Sequence, residues 1–332
     1  MSDSTDAPYP RLLADIGGTS ARLAWIDELG APLTQLARYD CAAFAGVDAV
    51  IARHLADTAR PPPRAAAIGI ATPVVGDRVS MTNLPWTFSI AALRQALGVE
   101  RLTVINDFEA LARGLASVRP GELRQVGGGV ALPGAAMAVL GPGTGLGVAG
   151  LLGTGGDRVP VVGEGGHATL SAGDAYEDAV VARLRDRFGH ASAERALSGA
   201  GIVNLYRTCC ELEAYAAEPI DAREITQRAM AAQDPRCARA IDLFLAFLGG
   251  FAGNLALTLG ARGGVFIAGG IVPRLGDLIE RSAFRARFEA KGRFRSYLQP
   301  IATHVVLDAS SVALRGADAA LGGDSNSRFA SG

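Results

Sequence analysis

The protein has 332 residues, with 32 basic and 33 acidic side chains and a formal net charge of −1. This length exceeds that of one ordinary domain and predicts two domains. The balanced charge excludes a broad cationic surface, because binding to nucleic acid or anionic membranes needs clustered lysine and arginine. We therefore expect small-molecule chemistry, with neither a nucleic acid nor a membrane as partner.

The basic residues and the cysteines exclude two classes of phosphate-binding protein and indicate the cellular compartment. Lys291 is the only lysine in the sequence and lies in an Ala-Lys-Gly context. This excludes a Walker A phosphate loop and the strand lysine of protein kinases. The four cysteines have no Cys-x-x-Cys spacing, and the polar N-terminal residues lack the pattern of a signal peptide, which predicts a reduced, cytoplasmic protein. The adjacent Cys209 and Cys210 are expected to pack inside a helix.

The chain opens with a predicted hairpin. Apolar strands at 11–14 and 22–26 flank a glycine turn at Asp15–Ser20. A second hairpin has strands at 137–140 and 148–152 around the turn Gly141–Gly147. The repeat predicts a duplicated architecture with a domain boundary near residue 115.

Strands and helices alternate through the rest of the chain. Strands are predicted at 64–71, 102–105, 264–268 and 305–307, and helices at 89–97, from 106–107 onward, and at 176–188, 191–197, 201–212, 222–232, 235–259 and 313–321. This alternation is typical of an α/β fold.

Residues 243–261 carry no charge and contain a Gly249-x-x-x-Gly253 spacing. By length alone this segment could span a bilayer. Asn254 in its middle and the strand that follows it favour a buried core helix. A membrane-associated protein is the alternative.

Three glycine turns could bind phosphate through backbone amides without a lysine. They are Asp15–Ser20, Gly141–Gly147 and Gly269-Gly270. Asp15 would repel phosphate unless a cation lay between them, which indicates Mg²⁺ held through water; the alternative is an aspartate that caps the turn. The Gly145-x-Gly147-x-x-Gly150 spacing matches a dinucleotide fingerprint, but the following residues predict a strand where that motif needs a helix.

Polar side chains suited to a polyhydroxylated substrate follow the predicted strands. Asn106 and Asp107 lie at a helix start, where amides and the helix dipole should keep Asp107 ionised. Glu164 and His167 share a three-glycine loop, a costly arrangement that is common in ligand sites. His190 and Glu194 are four residues apart and could share a metal on a helix face, but no third ligand is evident. Amide, carboxylate and imidazole groups together match the hydroxyls of a sugar.

These motifs together resemble those of bacterial glucokinases, in the superfamily of actin, hexokinase and the heat-shock chaperone ATPases. The resemblance runs from about residue 12 to Ala317 and is carried by DIGGT at 15–19 with Arg22, ATP at 71–73 with Gly76, INDF at 105–108, GPGTGLG at 141–147, GEGGH at 163–167, SAER at 192–195 and GGVFIAGGIVP at 263–273. Ser20 stands where many members have asparagine. The family's repressor-type relatives often carry a cysteine-rich zinc site, which the cysteines of this chain cannot supply.

The resemblance implies two ribonuclease-H-like domains with a cleft between them. The small domain would be 1–115 plus 305–332, and the large domain 116–304. ATP, Mg²⁺ and D-glucose would bind in the cleft of a homodimeric enzyme. The implied ATP-binding residues are Ala14, Asp15, Ile16, Gly17, Gly18, Thr19, Gly143, Thr144, Gly145, Gly269 and Gly270, with Asp15 also at the metal. The implied glucose-binding residues are Asn106, Asp107, Glu164, His167 and Glu194, with Asp107 as the catalytic base.

The predicted function is phosphorylation of glucose at its 6-hydroxyl by ATP, the first step of glycolysis. Closure of the two domains would exclude water. One alternative is a kinase of the same fold that uses another hexose or polyphosphate. Another is a sugar-binding sensor without catalysis, which would not need Asp15 or Asp107.

Overall fold

A computed structural model describes residues 7–155 and 158–322, and the chain divides into two compact units. The first unit contains the chain up to Arg119 and the segment from Asp308 onward, and the second is Pro120–Leu307. Each unit has its own apolar core. The predicted two-domain α/β fold is thereby confirmed.

The elements of the first unit up to residue 114 are β1 (Arg11–Ile16), β2 (Ser20–Ile26), β3 (Thr34–Asp40), α1 (Val47–Thr58), β4 (Ala65–Ile70), β5 (Arg78–Ser80), β6 (Thr87–Ser89), α2 (Ile90–Leu97), β7 (Arg101–Asn106) and α3 (Asp107–Gly114). Its main sheet has five strands in the order β3-β2-β1-β4-β7. β2 is antiparallel to β1 and β3, whereas β4 is parallel to β1 and β7. A separate pair, β5 and β6, precedes helix α2.

The elements of the second unit are β8 (Leu123–Gln125), β9 (Met137–Pro142), β10 (Leu146–Leu152), β11 (Val159–Gly163), α4 (Ala175–Phe188), α5 (Gly199–Leu212), α6 (Ala222–Met230), α7 (Pro235–Leu259), β12 (Val265–Ile267), α8 (Leu278–Arg281), α9 (Phe284–Glu289), α10 (Arg295–Leu298) and β13 (Thr303–Val306). Its sheet runs β11-β10-β9-β12-β13-β8. As in the first unit, an antiparallel ribbon of three strands, β9–β10–β11, is followed by two parallel strands, β12 and β13, and β8 adds an antiparallel edge strand beside β13. The order of the five strands from β11 to β13 is that expected of a duplicated architecture.

Two sequence predictions need correction. The boundary between residues 304 and 305 is wrong, because β13 pairs with β12 and β8 and therefore belongs to the second unit. The polar groups of a buried strand need this pairing, and a sequence does not say which sheet supplies it. The helix expected at 191–197 is only a short 3₁₀ turn at Ala193–Arg195, since the preceding residues bond to the backbone of the segment at 168–170.

The last helix, α11 (Ala309–Gly322), packs on the sheet of the first unit beside α3. Leu12, Ala14 and Ile16 of β1 belong to the core cluster that includes α1. Because side chains alternate along a strand, Asp15 lies on the opposite face, which α3 and α11 cover. Gly114 and Gly316 allow the two helices to approach closely, since a side chain at either would overlap the backbone of the other helix.

Among the described residues, α7 is the one helix long and apolar enough to cross a membrane. Its apolar residues lie inside the second unit, as the sequence predicts, and all four cysteines of the chain are buried and unpaired. The Gly249-x-x-x-Gly253 spacing serves close packing on α9. A side chain at Gly249 would overlap the carbonyl oxygen of Phe284, and one at Gly253 that of Phe288.

We expect Gly249→Ala to lower the free energy of unfolding by about 1–3 kcal/mol, because the added methyl forces α7 and α9 apart. Gly250→Ala is the matched control. A methyl at Gly250 meets no described atom within 4 Å, so the better helix propensity of alanine should leave stability unchanged or raised by up to about 1 kcal/mol. Chemical denaturation of the two variants checks this; equal stabilities would contradict the packing described.

Candidate active site

The first glycine turn joins β1 to β2 and follows a carboxylate. Asp15 lies opposite Arg22 in the hairpin, and Nη1 of Arg22 donates to Oδ2 of Asp15 at 3.3 Å. The Asp15 side chain is 14% exposed and that of Arg22 is 34% exposed. The turn is closed by a bond from the amide of Gly17 to the carbonyl oxygen of Ser20 at 3.0 Å. Asp15 therefore pairs with Arg22, and the structure shows no capping of the turn by its carboxylate.

Asn106 and Asp107 end β7 and begin α3. The Asn106 side-chain oxygen accepts from the amides of Phe108 at 2.9 Å and Glu109 at 3.2 Å, and its nitrogen donates to the carbonyl oxygen of Thr72. Asn106 is thus the N-cap of α3. Asp107 is the first helical residue, and its carboxylate accepts from the amide of Phe108 at 3.0 Å.

Gly69 explains how the two aspartates come to share one face of the sheet. It pairs with Asp15 on one side and with Ile105 on the other. A side chain on Gly69 would lie 3.1 Å from the Cβ of Ala110 and 3.6 Å from the Cα of Asp107. The missing side chain therefore allows the start of α3 to pass directly over the strand beside Asp15.

Burial dominates the ionisation of this pair. Desolvation raises the pKa of Asp15 to about 6, although Arg22 opposes the shift. Desolvation and then the charge of Asp15 raise the pKa of Asp107 to about 7, against the bonds from backbone amides. The expectation that the helix start keeps Asp107 firmly ionised is wrong, because loss of hydration outweighs the amides. Asp107 titrates near neutral pH.

Asn83 is a residue of this region that the sequence analysis missed. A side chain on Gly18 would lie 3.1 Å from the Cβ of Asn83 and 3.6 Å from its amide nitrogen, so Asn83 contacts the first turn. The segment before it bonds to the same loop as Asn106, since the Thr72 hydroxyl lies 3.5 Å from that of Thr82. A polar residue before Leu84-Pro85 in a connecting loop was the only signal in the sequence.

In the second unit, two glycine turns lie side by side. The turn Gly143-Thr144-Gly145 joins β9 to β10, with the Gly143 amide bonded to the Gly145 carbonyl oxygen at 2.8 Å. Gly269, which follows β12 at a φ of +81°, lies so close to Pro142 that a side chain would overlap its carbonyl oxygen. No described atom lies within 4 Å of where a side chain on Gly143 or Gly270 would stand. Both turns therefore present open backbone.

Glu164, His167 and Glu194 are brought together by Leu146, the first residue of β10. Glu194 Oε2 accepts from the Leu146 amide at 2.9 Å. The loop that carries Glu164 and His167 packs on the same residue, because a side chain on Gly166 would overlap the Leu146 carbonyl oxygen. The amide of Ala193 bonds to the carbonyl oxygen of Ala168 at 2.8 Å, which joins the two segments. Glu164 and His167 are exposed and Glu194 is half-buried.

The structure contradicts two alternative interpretations of the sequence, a metal site shared by His190 and Glu194 and a dinucleotide-binding motif that begins at Gly145. His190 lies in a bend, where Nε2 is 3.0 Å from the Thr169 hydroxyl, so it shares no helix face with Glu194. Across residues 7–155 and 158–322, no group of three or more His, Cys, Asp or Glu side chains could hold a metal ion. The residues after Gly145 form β10 and open no helix, which excludes the Rossmann arrangement.

Comparison with known proteins decides the family. A family model described as Glucokinase matches residues 12–323. The chain belongs to the glucokinase family. A glucokinase of Aromatoleum aromaticum is 52% identical over 94% of this chain and 95% of its own length. A glucokinase crystal structure from an Antarctic psychrotroph superposes with a TM-score of 0.85 at 33% identity, covering 94% of this chain and 98% of that one.

One relative in the comparison is about twice as long as the part that this chain matches. The "Bifunctional protein glk" of Paraburkholderia xenovorans is 48% identical over 90% of this chain, which spans 47% of that relative's length. The Aromatoleum and psychrotroph relatives match over nearly their whole lengths, and they confirm the prediction of a glucokinase enzyme.

The raised pKa of Asp107 predicts that its ionised carboxylate destabilises the folded protein above neutral pH. The folded-state pKa of about 7 exceeds the ordinary value of 3.8, so the folded protein binds the proton more tightly and loses stability as pH rises from about 4 to about 7. Asp107→Asn should therefore stabilise the ligand-free protein more at pH 8 than at pH 5. Chemical denaturation at both pH values measures this, and an equal effect at both would contradict the shift.

Proposed function

We propose that the protein transfers the γ-phosphoryl group of ATP to the 6-hydroxyl of D-glucose. The observation that carries the proposal is Asp107, a covered carboxylate at the start of α3 whose pKa of about 7 suits a general base near neutral pH. The 52% identical relative named glucokinase supports glucose as the sugar. A sensor without catalysis would not need a carboxylate whose burial costs stability.

Asp107 accepts the proton of the 6-hydroxyl as that oxygen bonds to the γ-phosphorus and the bond from phosphorus to the β-γ bridging oxygen breaks. Asn106 fixes the start of α3 through its two amide bonds, so the base stays in place while its protonation changes. Asn106, Glu164, His167 and Glu194 hold the other hydroxyls of the sugar. Orientation and proton acceptance are the main work of the protein in a loose phosphoryl transfer.

The nucleotide is held by backbone amides at residues Ala14–Thr19 and Gly143–Gly145, with Gly269 and Gly270 near the adenosine. The open backbone at Gly143 and Gly270 supports this assignment. Mg²⁺ fits beside Asp15, because the pKa of this carboxylate stays raised to about 6 even though Arg22 opposes the shift, and because Mg²⁺ takes few protein ligands besides phosphate. When bound, the ion neutralises charge on the phosphates.

The proposal also covers the superfamily, the cellular location and the oligomeric state of the protein. We place the protein in the actin and hexokinase superfamily, which is supported by the strand order that the first sheet shares with five of the six strands of the second. The four buried, unpaired cysteines support a reducing cytoplasm. The resemblance to bacterial glucokinases supports a homodimer.

Purified protein with ATP, Mg²⁺ and glucose should form glucose 6-phosphate, followed by coupled reduction of NADP. Removal of Mg²⁺ with a chelator should abolish the signal. Mannose and glucosamine as competing substrates test the alternative sugars. Absence of turnover with glucose, while glucose still raises the melting temperature, would favour the sensor or another phosphoryl donor.

Asp107→Ala should lower kcat by about 10²–10⁴-fold, the usual contribution of a general base, while glucose binding remains measurable by calorimetry. Asp186→Ala is the control, since that carboxylate lies on α4 and is 70% exposed. An Asp107→Ala enzyme that keeps more than about a tenth of the wild-type rate would contradict the assignment of the base.

A further inference from the structure

Glu194 holds one side of the turn Gly143-Thr144-Gly145. Its Oε2 accepts from the amide of Leu146 at 2.9 Å. The same oxygen lies 2.5 Å from where a side chain on Gly145 would stand. Glycine at 145 therefore makes room for the carboxylate, and the carboxylate fills the space beneath the turn.

The other side of the turn is held by the residues that follow Glu194. The amide of Gly199 donates to the carbonyl oxygen of Gly143 at 2.8 Å. Ser198 links the two contacts, since its hydroxyl donates to the Glu194 carbonyl oxygen at 2.8 Å and accepts from the Gly201 amide at the start of α5. The segment 194–199 thus bonds to the turn at both of its ends.

The carboxylate has a second oxygen available. Glu194 is half-buried, and its Oε1 accepts no hydrogen bond from the residues that the structure describes. One oxygen can therefore bind a hydroxyl of the sugar while the other keeps its bond to Leu146. A bond between a charged group and an amide is short and comparatively strong, so it can transmit the position of one group to the other.

We infer that Glu194 is a positioning residue for the nucleotide, because its carboxylate sets the conformation of the turn that binds phosphate. This inference rests on the proposed function, in which the turn at Gly143–Gly145 binds phosphate and Glu194 binds sugar. A sugar that fixes the carboxylate then favours the phosphate-binding conformation. By thermodynamic reciprocity, nucleotide must favour sugar binding to the same extent.

The test is nucleotide affinity in the absence of sugar, measured by calorimetry with Mg²⁺ and ADP. Glu194→Ala removes the bond to Leu146 and should weaken ADP binding about tenfold, the effect of one hydrogen bond to a charged group. Glu194→Gln keeps an oxygen acceptor and should stay within about threefold of wild type. Both variants should lose glucose affinity, and thermal denaturation checks that both are folded.

Glu164→Ala is the matched control, because Glu164 is a proposed sugar ligand whose side chain makes no bond to the turn among the described residues. It should lose glucose affinity with unchanged ADP affinity. Wild-type ADP affinity in Glu194→Ala, an equal loss in Glu164→Ala, or tighter ADP binding in both Glu194 variants would overturn the inference. A wild-type protein that binds no ADP would instead overturn the proposed function.

Hydrogen exchange at the Leu146 amide gives a readout that needs no ligand. Exchange should be slow in the wild type and in Glu194→Gln, and faster in Glu194→Ala, because only alanine leaves the amide without its acceptor. Equal protection in all three proteins would show that the carboxylate does not hold the turn.

Discussion

The burial of Asp15 and Asp107 on one face of the first sheet is the constraint from which the chemistry follows. Two carboxylates that lose hydration near one another resist ionisation, and the pKa of Asp107 rises to about 7. Gly69 supplies the close approach of α3, and Gly114 and Gly316 allow α11 to pack beside that helix. Stability is given up at these positions, and the carboxylate proposed as the base has a pKa near neutral pH.

The second unit shares the strand order of the first in five of its six strands, but the turn in its hairpin differs. Its turn after β9 leaves open space at Gly143, whereas the turn of the first unit follows a carboxylate, Asp15, that is only 14% exposed. Leu146 connects the segments that carry the proposed sugar ligands of this unit, because its amide bonds to Glu194 and its carbonyl oxygen touches Gly166. Residues far apart in the sequence therefore share one short stretch of backbone.

The sequence predicted much of the fold because strong patterns acted locally. The two hairpins, the buried helix α7 and the start of α3 all follow from apolar runs and glycine or asparagine at element ends. It did not predict that β13 belongs to the second sheet, because strand pairing depends on distant residues. The helix predicted at 191–197 is also wrong, because backbone pairing with the segment at 168–170 replaces it.

The sequence predicted which residues are candidates for the site, but it did not predict the raised pKa of Asp107 or the contacts between distant residues. The sequence identified Asp107, Glu164, His167 and Glu194 as candidates, since polar residues on costly glycine loops indicate ligand binding. The pKa of Asp107 depends on desolvation and on the charge of Asp15, a residue of a distant strand, which no local pattern reveals. The contact of Asn83 with Gly18 and the bond from Leu146 to Glu194 also join residues widely separated in the sequence.

The pH dependence of kcat/KM for glucose tests the central claim most directly, because this quantity follows the essential base of the free enzyme. The base must lose its proton to act, so the account predicts that kcat/KM falls below pH of about 7 with the slope of a single proton. Between pH 6 and pH 5 the fall should be nearly tenfold. A profile that stays flat from pH 8 to pH 5 would show that Asp107 is not a buried base shifted by its surroundings.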